Sequence, residues 1–447
     1  MKKTFTLWVG LLLIGCSHLF GQKYYMASPE GFGAATTGGG NATPTTVSTY
    51  SALKTALTAS GSAVILVSGT IDFNTGGGMM KIIIKDKTLI GLPGAKFVNT
   101  NQDVSGILYL NTGSSNVIIR NILFEGPGAR DNNGNDNLTI KPATNVWVDH
   151  CEFQDGEDGN LDNSGLTDNV TISWCKFTYL KAARPAGPNG GTTNDHRFSN
   201  LIGGAKDDAP ADGNYSITWQ NCWWGPGCVE RMPRARNAEL HILNCFYNSG
   251  NAKAALGIGG GTVGGATKTS TCYVENCDFS KLAIASFKSY TSSDGGKVML
   301  TYSGCLNASG AGDGPATKPS YSTSSFDASL VEAAVTGPCG AGATLNVTAS
   351  GVISSSCFSS DIASTDISSS SSLVYPNPSS GSFSVKGREA IKTLSIINAA
   401  GTTVYTKENL QAGMDTEITA ELSDGIYFVK LQNISGSTEM IKFVKSK

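Results

Sequence analysis

Six short segments repeat one pattern of apolar and polar positions: NVWVDHCEF (145–153), NVTISWCKF (169–177), YSITWQNCWW (215–224), ELHILNCFY (239–247), STCYVENCDF (270–279) and VMLTYSGCL (298–306). Apolar residues alternate with period two (Val146/Val148, Val170/Ile172, Ile217/Trp219, Leu240/Ile242), as in short strands with one buried face. The parity then slips. A cysteine follows three residues after the last apolar position, and an aromatic stands two beyond it (Phe153, Phe177, Trp224, Tyr247, Phe279). A one-residue slip exchanges the faces, so the chain turns a corner into another sheet. The residue before the cysteine is Asn221, Asn244, Asn276 or Gly304 in four of the six segments, types that tolerate the positive φ of a tight corner. The cysteines stand at 151, 175, 222, 245, 277 and 305, with gaps of 24, 47, 23, 32 and 28 residues. Each gap reads as one turn of a solenoid, and the second as two. The predicted class is all-β: a right-handed parallel β-helix with an internal cysteine ladder and a stack of aromatic rings.

The pattern extends to both sides. A helix is predicted over 49–59, and SAVILVSGTID (62–72) with MMKIIIKDKTLIG (79–91) opens the solenoid. Rungs continue through GILYL (106–110) and NVIIRNILF (116–124). Residues 181–212, rich in Gly, Pro, Asn and Asp, are expected to project as loops around a strand at 197–202. Repeat character fades after Cys305, and the serine run Ser368–Ser372 reads as a linker, placed at 361–372. From Leu373, YPNPSSGSFSV, LSIINAAGTTVY and LSDGIYFVKLQ alternate apolar and polar residues between glycine turns, which predicts a small antiparallel β-sandwich over 373–447. The solenoid domain is assigned residues 23–360.

Composition narrows the reading. A net charge of −2 is no basis for a nucleic-acid surface, and 54 glycines with 15% charged residues suit a turn-rich β protein. Lys2 and Lys3, the apolar run Leu7–Ile14 and the small residues after it read as a signal peptide over 1–22, too short to span a bilayer. The protein is therefore expected to be exported, secreted or held at the cell surface, and monomeric. Leu13-Ile14-Gly15-Cys16 also fits a lipoprotein box, but cleavage near Gly21 or Gln22 is preferred. Export permits disulfides. Cys222/Cys228 and Cys339/Cys357 are the favoured pairs, and no CxxC spacing points to zinc.

Two charged clusters suggest chemistry. Arg231, Arg234 and Arg236 crowd around Pro233, and a guanidinium fork matches a carboxylate bidentately. Asp136, Asp155, Glu157, Asp158 and Asp162 lie beside the first two repeats. Adjacent rungs stand about 4.8 Å apart, so such carboxylates can converge in a line of hard oxygen ligands suited to Ca²⁺. Acids that hold a cation, opposite arginines, would grip a polyanionic substrate from two sides. His150, in a corner, and His241, between Leu240 and Ile242, read as structural.

NVWVDHC, the acidic pair, VTISWCKF, SNLIGG and R-x-P-R-x-R followed by LHILN resemble the pectate lyase family of polysaccharide lyases over roughly 60–310. The resemblance implies β-elimination on 1,4-linked polygalacturonate with Ca²⁺ held by Asp136, Asp158 and Asp162. It also implies Arg231 as the base and Arg236 as a binder of substrate carboxylate. Where family members tend to carry a lysine before the LIGG-like strand, this chain has Asp195-His196-Arg197-Phe198. Arg197 is expected to stand in for that lysine, with His196 beside it against substrate. The chain also has Asp158 where some members have a longer glutamate. Residues 373–447, with the PNP start and the DGIYFVK strand, resemble the C-terminal sorting domain of the type IX secretion system, which implies the secretion machinery as a partner. A β-helix polygalacturonase would instead hydrolyse with paired carboxylates and need no calcium. A surface carbohydrate-binding adhesin would give no reason for arginines facing an acidic cluster.

Overall fold

The computed structural model describes residues 24–132, 134–185, 195–355 and 372–446, apart from 378, 388, 399–401 and 435–437. The expected signal peptide at 1–22, Cys16, Cys357 and nearly all of the 361–372 linker lie outside the described residues. The chain divides into two compact units, 1–359 and 360–447.

The first unit is a parallel β-helix whose rungs build sheets of ten, eight and seven strands. One turn shows how. Ala143–Asp149 runs in the ten-stranded sheet, Glu152–Gln154 in the seven-stranded and Leu161–Asn163 in the eight-stranded one, and Asp168–Ser173 re-enters the first. Between the first two sheets the chain turns on one residue with positive φ: Asn121, His150, Trp174, Asn221, Asn244, Asn276 and Gly304, at 46–66°. Asparagine and glycine reach this region cheaply, whereas His150 and Trp174 do not. Their cost is offset by contact: the rings of His150 and Trp174 stack 5.5 Å apart, and His150 Nδ1 lies 2.9 Å from Asp149.

After each corner the next residue points inward and forms the ladder. The backbone N–H groups of Cys222, Cys245 and Cys277 donate to the Sγ of Cys245, Cys277 and Cys305, at 3.3–3.4 Å. Two residues on, Phe124, Phe153, Phe177, Trp224, Tyr247 and Phe279 stack with centroids 4.5–5.4 Å apart, and Phe97 meets Phe124 edge to face at 5.3 Å. The aromatic row thus begins two rungs before the first cysteine, where Ala95 and Ile122 hold the ladder position. Removing a middle thiol leaves a void and an unpaired N–H. Cys245→Ala is expected to cost about 2–3 kcal/mol in a denaturant melt, and an unchanged midpoint would refute the packing role.

Two expectations are corrected. The 47-residue gap is one turn and not two: Val170 pairs directly with Ile217 and Phe177 with Trp224. Residues 186–194 of the extra length lie outside the described residues, and the described remainder up to Tyr215 holds only the two-residue strand Leu201–Ile202. Cys222 and Cys228 are both free and buried. Cys222 Sγ points at the carbonyls of Ile172 and Gln220, and Cys228 Sγ at that of Phe177, so each is committed to a different rung contact. Cys339 is disulfide-bonded.

The helix Tyr50–Thr58, capped by the Thr49 hydroxyl on Ala52 N–H, buries Leu53 and Leu57 against the first rungs. On the outer face of the ten-stranded sheet, His241 Nδ1 lies 3.1 Å from the Tyr321 hydroxyl and Nε2 3.3 Å from Glu275, a structural histidine as expected. Val331, Ala334 and Val335 pack against Trp174 and Phe246 on that exterior.

The second unit holds antiparallel sheets of three strands (Leu373–Tyr375, Phe383–Lys386, Asp415–Ile418) and four (Ile391–Asn398, Thr403–Leu410, Gly425–Asn433, Thr438–Lys445). Phe383, Val385, Leu394, Ile396, Val429 and Phe443 form their common buried core.

Candidate active site

The eight-stranded sheet positions both charged clusters. Asp162 sits on Leu161–Asn163, and the neighbouring strand, Leu201–Ile202, gives its Leu201 N–H to Asp162 Oδ1 at 2.8 Å. The next strand, Arg234–Ala235, carries the arginine segment, with Arg234 in register with Leu201. The arginine segment thus stands two rungs from Asp162, with Leu201–Ile202 between them.

The three acids do not form a straight line. Asp162 pairs in register with Thr139, not with Asp136. Asp136 lies in the preceding loop and reaches in, its Oδ2 accepting from the Thr139 hydroxyl at 2.6 Å while its buried Oδ1 has no hydrogen-bond partner. Asp136 and Asp162 meet around Gly159: a Cβ there would lie 2.9 Å from Asp136 Oδ1 and 3.0 Å from Asp162 Oδ1. Asp158 closes the group, with Oδ2 accepting from Gly134 N–H at 2.6 Å and Oδ1 lying 2.9 Å from His196 Nε2.

Electrostatics mark these acids as frustrated without a cation. Burial, reinforced by Asp162 and Asp158, pushes Asp136 well above the usual carboxylate range. Burial also raises Asp162, to about 7, with Asp158 adding to the rise and Arg231 opposing it. Asp158 goes the other way: burial lifts it, but His196, the Gly134 N–H and Arg231 outweigh that, and its carboxyl stays ionised more readily. An orphaned buried oxygen, two acids raised by burial and by neighbouring carboxylates, and a cradle open only because residue 159 lacks a Cβ fit a hard divalent cation. Asp155 and Glu157 serve the fold instead. Asp155 accepts from the N–H groups of Leu180 and Lys181, and Glu157 from Ser105 N–H and Oγ. Gly159→Ala should leave the melting transition near wild type and weaken Ca²⁺ binding in a calorimetric titration by about tenfold or more, because the added methyl must displace a ligand oxygen. Unaltered Ca²⁺ affinity would show that the cradle is not the cation site.

Beside the acids, with Asp158 on its wall, lies a cleft of about 520 Å³ also lined by His196, Phe198, Arg231, Arg234 and Arg236, among others. Arg231 has positive φ (62°), a costly backbone for a long side chain, and its guanidinium lies 4.8 Å from the Phe198 ring centroid. Arg234 is buried, lies 4.0 Å over the Tyr290 ring and is ion-paired with Asp294. Arg236 shares that carboxylate at 3.2 Å through Nε and donates from Nη1 to Gly203 O at 2.6 Å. Arg197 does not point free into the cleft: Asp195 takes both its Nε (2.7 Å) and its Nη2 (2.5 Å). Asp294, Tyr290, Phe198 and Gly159 were not singled out from sequence. Asp294 and Tyr290 lie outside the cysteine repeat, and the fold alone brings them to the arginines. A larger hollow of about 840 Å³ lies elsewhere, beside Glu30, whose carboxylate is already taken by Gln220 and Ser324.

Residues 4–344 match the pectate lyase family. The chain belongs to that family. Residues 373–446 match the secretion system C-terminal sorting domain, which implies export to the surface or the medium. Among curated relatives, a pectate trisaccharide-lyase of Thermotoga maritima is 31% identical over 229 residues, 50% of this chain and 54% of that protein. A probable pectate lyase B of Aspergillus flavus is also 31% identical, over 223 residues, 48% of this chain and 59% of that one. The chain thus spans little more than half the length of the curated relatives it matches. Among solved structures, a thermostable pectate lyase superposes with a TM-score of 0.53 at 19% identity, covering 72% of this chain and 99% of that one. A Paenibacillus pectate lyase does so with a TM-score of 0.52 at 20% identity, covering 72% and 97%. These two establish the shared fold.

Proposed function

We propose that the protein is a calcium-dependent pectate lyase that cleaves 1,4-linked polygalacturonate by β-elimination and releases unsaturated oligogalacturonates. One observation carries this reading: Arg231, its guanidinium in no ion pair or hydrogen bond among the described residues, faces Asp136 and Asp162, two buried acids held above the usual carboxylate range by burial and neighbouring charge. Asp136, Asp158 and Asp162 would hold Ca²⁺. When bound, Ca²⁺ would stabilise the charge that develops on the substrate carboxylate as the proton α to it leaves.

The chain's own residues do the rest. Arg236, fixed by Asp294 and Gly203 O, keeps its remaining nitrogen for a galacturonate carboxylate and sets the register of the polymer. His196 lines the cleft as a further substrate contact, and Arg197, paired with Asp195, would have to exchange that partner for a galacturonate carboxylate to join it. Arg231, acting as the neutral guanidine, takes the C5 proton; the C5–H electron pair forms the C4–C5 double bond as the C4–O bond breaks, and the departing glycosidic oxygen takes a proton from water to become the hydroxyl of the released chain. Burial of the acids excludes water that would otherwise screen the charges.

The family match, the sorting domain and the apolar N-terminal run also support a route of export. The signal peptide (1–22) would be removed first, and the 373–447 domain, joined through 361–372, would address the protein to the type IX machinery. The direct test is product chemistry on polygalacturonate. Chain scission with ultraviolet-absorbing unsaturated ends supports the proposal. New reducing ends without that absorbance would make the protein a hydrolase, and no scission would leave it a binding module.

A further inference from the structure

We infer that Asp131, Asp158 and His196 form a second cation site, selective for a borderline divalent transition ion such as Zn²⁺ or Co²⁺, which competes with a hard cation for Asp158. One ligand atom from each of the three lies within 4.8 Å of the others. His196 Nε2 stands 2.9 Å from Asp158 Oδ1, and Nδ1 stands 3.9 Å from Asp131 Oδ2. The independent sign is the imidazole itself. His196 is only 4% exposed, yet neither ring nitrogen makes an aligned hydrogen bond, so a buried polar ring is aimed between two carboxylates without directed partners. Phe198 packs on it with centroids 4.3 Å apart and fixes its position, so the ring is pre-set.

The donor set decides which ion fits. Ca²⁺ takes six to eight oxygens and gains little from an imidazole, whereas Zn²⁺ and Co²⁺ bind one nitrogen and two carboxylate oxygens with a position left for water. Asp136 and Asp162 lie on the far side of Asp158 around Gly159 and contribute nothing to this set. Asp158 is common to both groups, so each ion must weaken the other. A transition ion would therefore inhibit by drawing Asp158 towards His196, and excess Ca²⁺ would relieve it. The site itself stands on its own ligand geometry; only the inhibition rests on the calcium reading.

The test is a calorimetric and optical titration of the full chain with Co²⁺ in calcium-free buffer. Binding of one Co²⁺ per chain with visible d–d absorption is expected, weakened by more than about tenfold in His196→Ala and in Asp131→Asn and retained in Asp162→Asn, which spares the site. The variants' melting transitions serve as the folding control. Wild-type affinity in His196→Ala would overturn the inference, as would no binding, or intense near-ultraviolet charge-transfer bands, which would place Co²⁺ on the cysteine ladder. A separate Ca²⁺ titration distinguishes the two claims: Ca²⁺ binding lost in Asp162→Asn while Co²⁺ binding persists is the expected pattern. Co²⁺ binding with no Ca²⁺ binding would sink the calcium reading and leave this site standing.

Discussion

Arg231→Lys is expected to lower kcat on polygalacturonate by about 100-fold or more while KM stays within roughly threefold of wild type. The lysine ammonium keeps the charge beside Asp136, Asp158 and Asp162, so a purely electrostatic role would be largely preserved. It cannot reproduce the planar guanidine held at a positive φ over Phe198, and a proton acceptor must sit within hydrogen-bond reach of C5. Loss confined to kcat marks an interaction made only in the transition state. Arg236→Lys provides the contrast. It removes a grip present in the ground state and gives up the Nε contact to Asp294, so KM should rise about tenfold with a smaller change in kcat. Both variants should unfold at the wild-type temperature. Near-normal kcat in Arg231→Lys would reduce Arg231 to a binding residue.

The second large effect is on stability. Asp162 is raised from the usual carboxylate value to about 7 in the folded protein, so between about pH 4 and pH 7 the native state binds more protons than the unfolded one. Stability of the calcium-free protein must therefore fall as pH rises through that window, and Asp136, raised for the same reasons, acts in the same sense. The loss is on the order of a few kcal/mol. Calcium supplies the missing positive charge, so its stabilising effect should be small near pH 4 and largest above pH 7. Thermal melts across pH, with chelator and with calcium, would show this as two curves that diverge upward in pH. Asp162→Asn should flatten the chelator curve. A wild-type curve that is flat in chelator from pH 4 to 8 would mean that these acids are not strained in the folded protein.

Much of this molecule is legible from local pattern, because a solenoid is built from local pattern repeated. The period-two alternation, the slip at each cysteine and the Asn or Gly before it name the rungs, the corners and the positive φ values at Asn221, Asn244, Asn276 and Gly304. What escapes is set by distance. Nothing in the 47-residue gap distinguishes two turns from one turn with long loops, since that depends on which strand Val170 pairs with, and it pairs with Ile217. Spacing alone suggested a Cys222–Cys228 bridge, but the ladder commits Cys222 to the interior next to Cys175 and Cys245. The acidic triad was visible as composition, yet its geometry was not. Asp136 enters from the loop before the strand, three residues ahead of Thr139, which is the register partner of Asp162, and the glycine that lets the two approach is conspicuous only when its Cβ is built. Asp294 anchors two arginines from some sixty residues away and has no counterpart in the repeat.

The central claim is that the acids around Gly159 make the cleft work through calcium. The measurement is the initial rate of ultraviolet absorbance gain on polygalacturonate by chelator-treated protein, titrated with Ca²⁺, for wild type and Asp162→Asn. Wild type should be inactive in chelator and regain full rate with saturation in Ca²⁺, and Asp162→Asn should need at least about tenfold more Ca²⁺ to reach half its maximum. Full activity of either protein in chelator would contradict the account.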